Sequence, residues 1–119
     1  MSDAILKKFM VFYSIPLATM TDWKNVDPKQ REAAEKNMMQ EWGKWTEAHA
    51  EMILSTEVAG KTKNVTAGTV SDTRNDIVLF SLVQGESHEA VTQEFQNHPH
   101  LQIPNSSIQV MEVKPMEWM

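Results

Sequence analysis

Apolar and polar positions change period several times along this chain. Over Lys8 to Ser14, Phe9, Val11 and Tyr13 alternate with Met10 and Phe12. Both sides are apolar, which predicts a strand covered on both faces. Residues Ile15 to Val26 read as a loop with Pro16 and a polar Thr21-Asp22 pair. Asp27-Pro28 then opens a long helix: Asp27 caps, Pro28 suits the first helical position and Gln30 completes a capping box. The stripe Ala34, Met38, Trp42, Trp45, His49, Met52 advances by three or four, the spacing of one helix face. The helix is expected to end near Ala48 to Ala50. A second strand follows from about Met52 to Val58. Its inner face is Met52, Leu54, Thr56 and Val58, and Ser55 and Glu57 alternate with them, a pattern suited to an edge.

Residues Ala59 to Asn75 are polar, with a short extra hairpin expected around Asn64 to Val70. Asp76 to Val83 is the third main strand, apolar on both faces through Ile77-Val78-Leu79-Phe80. Ser87 caps a second helix whose buried face is Ala90, Val91 and Phe95, and Pro99 bars His98 from continuing it. The last strand is Ile108 to Lys114. Strand, helix, strand, strand, helix, strand is the order of a ferredoxin-like βαββαβ sandwich: α+β, four antiparallel strands with two helices on one face. The first and third strands are central in that topology, and they are the two that read as apolar on both sides. The face without helices then needs a cover. A second copy of the chain, packed sheet to sheet, is the expected one, because soluble monomers rarely leave such a patch bare.

Composition narrows the partners. RNA can stack on the open face of this topology, and Phe12 and Phe80 are suitably aromatic. But the third strand carries no Lys or Arg, and sixteen acidic against eleven basic residues give a net charge of −5. Nucleic acid and anionic membrane surfaces are therefore not expected partners. There is no cysteine, so disulfide and thiolate chemistry are excluded. No secretory or membrane-spanning run is apparent, so a single cytoplasmic domain over residues 1–119 is expected. Phosphate-cradling, dinucleotide and nucleophile-elbow motifs are absent, and no cofactor is expected.

Three segments carry a family resemblance: Lys8-Phe9-Met10-Val11-Phe12-Tyr13, the Trp42-x-x-Trp45 pair, and His98-Pro99-His100-Leu101 ahead of Ile108-x-Val110-x-Glu112-Val113. Together they resemble the YCII-related (DGPF-like) proteins of the dimeric α/β-barrel superfamily. The resemblance implies a ferredoxin-like protomer, a homodimer whose sheets form a barrel, and a cleft between sheet and helices. It implies little chemistry. Where many relatives have a Gly-Pro-Phe-rich acidic turn before the third strand, this chain has Ser71-Asp72-Thr73-Arg74-Asn75-Asp76.

The candidate site residues follow from side-chain chemistry. His98 and His100 flank a proline in a segment expected to be extended, so their rings can project to one side and share a ligand or a proton. Two histidines with no local third ligand do not make a zinc site, and no metal is expected. His49 shares a helix face with Trp42 and Trp45, where partial desolvation suits a general base. His98 or His49 is thus the expected base, and Trp42 and Trp45 the apolar wall. Arg74 is the expected carboxylate partner, with Asp72 beside it in the same charged turn. The function expected is binding of a small acidic or aromatic compound, with cofactor-free proton transfer of isomerase or lyase type. The alternative is a non-catalytic ligand-binding or accessory module.

Overall fold

A computed structural model describes residues 6–116. The chain is α+β, with a four-stranded antiparallel sheet, three helices and a separate hairpin. In order these are β1 (Lys7–Ser14), α1 (Leu17–Lys24), α2 (Pro28–Ala48), β2 (Ile53–Val58), β3 (Thr62–Thr66), β4 (Thr69–Thr73), β5 (Ile77–Gly85), α3 (His88–Glu94) and β6 (Ser107–Val113). A 3-10 turn at Pro99–Gln102 joins the last two. The sheet order is β2-β5-β1-β6, so β1 and β5 are the central strands.

The register sorts the side chains onto two faces, because directly opposed residues point the same way. On one face lie Phe9 opposite Val83, Val11 opposite Ser81 and Val110, and Tyr13 opposite Leu79 and Ile108. Val91 and Phe95 complete the buried core there, and Trp42 and Trp45 of α2 pack against it. On the other face Met10 lies between Leu82 and Met111, and Phe12 between Phe80 and Gln109. Among the described residues, the helical side chains of the core all pack on the first face.

Four expectations change. Residues Ile15 to Val26 are not all loop: α1 forms there, with Pro16 as its cap and no residue buried. It carries no apolar stripe, so periodicity gave no sign of it. Side-chain bonds hold it to α2 instead, from Trp23 Nε1 to Glu35 (3.0 Å) and from Arg31 Nη1 to the Lys24 carbonyl (3.1 Å). In β2 a register shift between Ile53 and Ser55 turns Leu54 away from the inner face. Ile53 takes the place opposite Val83, and Leu54 is 44% exposed. The hairpin is longer than expected, with paired strands from Thr62 to Thr73. Its turn is Ala67-Gly68, where Gly68 has φ +79°, the left-handed region that glycine enters without strain. Finally, the segment after His98 is a 3-10 turn rather than extended chain.

The long helix behaves as expected at both ends. The Asp27 side chain accepts from the Gln30 amide (3.3 Å), and His49 is the C-cap. Along its 21 residues, however, no side chain is fully buried. Trp42, Trp45 and His49 are half-buried, while Ala34 is exposed.

Candidate functional site

The 3-10 turn builds the site. Helix α3 ends at Glu94, and Pro99 opens the turn with His98 as its cap, the His98 Nδ1 accepting from the His100 amide (3.0 Å). This bond fixes the tautomer: with Nδ1 as acceptor, the neutral ring carries its proton on Nε2. The ring is 1% exposed. Tyr13 (5.3 Å between ring centres), Trp42 (4.2 Å), Trp45 (4.4 Å) and Phe95 (5.8 Å) surround it. His98 Nε2 is buried with no hydrogen-bond partner. The indole rings offer at best weak N–H···π contacts, less than the hydrogen bond a buried donor forfeits. Burial, then the positive charge of His100 and of His49, pushes the His98 pKa down to about 3.

His100 is also buried, but its ring turns the other way. Its Nε2 donates to the Ser14 carbonyl (3.0 Å), and burial lowers its pKa. The two histidines both pack on Tyr13 but do not share a ligand position. Tyr13 itself is held by Ser81 Oγ (3.0 Å), which contacts Thr56 Oγ1 (2.7 Å). Burial raises the Tyr13 pKa, and the bond to Ser81 partly offsets that.

His49 forms the rim. Its Nδ1 donates to the Trp45 carbonyl (2.7 Å), and its Nε2 meets Glu94 Oε2 (2.9 Å). Both nitrogens face oxygens. The ring stacks on Trp45, with centres 4.0 Å apart and an interplanar angle of 19°. The two histidines therefore offer different chemistry. In this tautomer His98 has no free lone pair and offers a hydrogen-bond donor. The His49–Glu94 pair is half-exposed and open to solvent.

Arg74 and Asp72 are placed elsewhere. They line a cleft of about 860 Å³ between α1 and the β3–β4 hairpin, with Leu17, Met20 and Val58 among its apolar walls. Asp72 is tied to Lys63 (2.8 Å). The lining of this cleft includes Arg74 and Asp72 and none of the histidines. Sequence reasoning assigned Tyr13 and Phe95 to the core and left out Ser81, Thr56 and Glu94 as site neighbours. Only tertiary contact links them; Glu94 and His49 are 45 positions apart. Among the described residues no three metal-ligating side chains cluster, and no helix is long and apolar enough to cross a membrane.

No family model matches the chain, and no curated protein matches it. Similar solved structures include the following two. A hypothetical protein of Arabidopsis thaliana has a TM-score of 0.47 and 14% identity, over 100% of this chain and 96% of that one. The 5-chloro-2-hydroxyhydroquinone dehydrochlorinase of Burkholderia phenoliruptrix, in complex with 2,5-dihydroxybenzoquinone, has a TM-score of 0.41 and 17% identity, over 88% of this chain and 91% of that one. Neither likeness assigns a site or a ligand to this chain.

Proposed function

We propose that this chain is a cytoplasmic, ferredoxin-like protein of YCII type that pairs through its open sheet face and binds a small acidic or aromatic compound. The observation that carries the binding site is the buried, unpartnered Nε2–H of His98 inside the ring of Trp42, Trp45, Tyr13 and Phe95. A flat ligand that displaces the half-buried Trp42 gains aromatic contact and presents an oxygen to that donor. The His49–Glu94 pair then takes a proton from one atom of the bound compound and returns it to another in an isomerase-type step, or to the departing group in a lyase-type one. Arg74 and Asp72 belong to a separate cleft and take no part.

A thermal-shift screen of small aromatic acids and phenols on wild type and His98→Phe tests this reading. A ligand at a hundred times its dissociation constant adds about 2.7 kcal/mol of stability. The expected result is a hit in wild type that His98→Phe loses. Hits indifferent to His98→Phe, or no hit, overturn the site. Binding that survives in His49→Gln, with no turnover of the hit by wild type, assigns the non-catalytic alternative.

A further inference from the structure

The β3–β4 hairpin is the element that its own chain supports least. Its strands pair only with each other, and residues 63–73 are all exposed. A lone two-stranded ribbon is marginal in water. The register places Thr62 with Thr73, Asn64 with Ser71 and Thr66 with Thr69 on one face, all polar. The other face has the Lys63–Asp72 ion pair behind an apolar tip, Val65 opposite Val70. These valines are 72% and 63% exposed. The whole molecule is similarly open. It measures 52 × 47 × 19 Å, and its radius of gyration is 17.0 Å, against about 13.5 Å for a compact chain of this length.

We propose that the hairpin is a clasp that lies along a second copy of this chain and buries Val65 and Val70 on it. The proposal rests on the sheet-face pairing above and extends it. Area argues for the clasp. Four strands about 4.8 Å apart and seven or so residues long present roughly 450 Å² of open face. A stable interface needs about 800 Å² from each partner. One hairpin face is about 20 Å by 10 Å. Each copy gives one clasp and receives one, so the two add roughly 400 Å² per copy and close the gap.

Continuity and charge favour the same occupant. The hairpin directly follows β2 and leads into β5, two strands of the open face. The slab is only 19 Å thick, so the hairpin projects within its plane, where a copy seated on the sheet meets it. The paired open-face positions include one Lys (Lys8) and one Glu (Glu57). Two chains of charge −5 thus meet through a face of no net charge.

Sedimentation velocity over a dilution series tests the clasp on wild type, Phe12→Asp and the double variant Val65→Glu/Val70→Glu. Hydrogen exchange of the hairpin amides in wild type runs in parallel. Wild type is expected to sediment at twice 13.6 kDa. The double variant should raise the dimer dissociation constant at least tenfold with its circular dichroism unchanged, and hairpin protection should fall as wild type is diluted. If Phe12→Asp dissociates the dimer, the double variant does not, and the hairpin amides exchange fast at every concentration, the clasp is overturned and the sheet-face pairing stands. A monomeric wild type overturns both. Should the double variant misfold, the dilution dependence of hairpin protection decides alone.

Discussion

His98 concentrates the energetic tension of this molecule in one ring. Its backbone position is set by Pro99, its tautomer by the His100 amide, and its surroundings by four aromatic side chains. A charged ring there would lose its hydration without gaining an acceptor, which is why its pKa falls to about 3 from an unfolded value near 6.5. The sign of the linkage follows. Between those two values the unfolded chain binds a proton that the folded chain refuses, so stability falls as pH drops from about 6.5 towards 3. One such group contributes a slope of at most about 1.4 kcal/mol per pH unit, and the buried His100 adds in the same direction. Urea midpoints measured across that range should fall on acidification. His98→Asn retains an acceptor for the His100 amide and should flatten the slope, and an unchanged slope would place the acid sensitivity elsewhere.

The long helix, the strands and the turn residues were legible in the sequence because each carries a local signal. Asp27-Pro28 caps α2, β1 alternates between two apolar faces, and Pro99 opens the 3-10 turn beyond α3. What stayed hidden at this scale depended on partners far along the chain. α1 has no stripe to betray it and is held by bonds to Glu35 and Arg31. The displaced Leu54 depends on how β2 slips against β5. A third tertiary feature sits at the end of β5, where Gly85 faces α3. A Cβ there would overlap the Val91 side chain, which is itself buried in the core. Gly85→Ala should therefore destabilise the fold by about 1–3 kcal/mol through overpacking. Chemical denaturation checks this, and a neutral result would mean that α3 shifts freely against β5.

The described residues form one sheet and one helical layer, 19 Å thick, with a second apolar sheet face and a hairpin that no other described element covers. Met10, Phe12, Phe80 and Leu82 occupy the middle of that face. Burial of these side chains in the proposed dimer would couple folding to association, and stability would then depend on concentration. The thermal midpoint should rise by several degrees between low micromolar and hundreds of micromolar protein, and Phe12→Asp should remove the dependence. A midpoint independent of concentration in wild type would show that the open face contributes nothing to stability.

The chain's own pattern was enough to determine the order of the four sheet strands and of helices α2 and α3, the two central strands and the presence of histidines beyond a helix end, but not α1. Those properties arise from spacing, capping and proline geometry within a few residues. It was also enough to single out Trp42, Trp45, His49 and His98, because a helix face and a helix stop are local facts. Only the tertiary structure decided what those side chains do. It separated Arg74 and Asp72 from them, gave the His98 lone pair to a backbone amide and set Glu94 against His49. The physical reason is that a hydrogen-bond partner or a desolvated ring is a property of the space between elements, and spacing along one strand or helix carries no record of it.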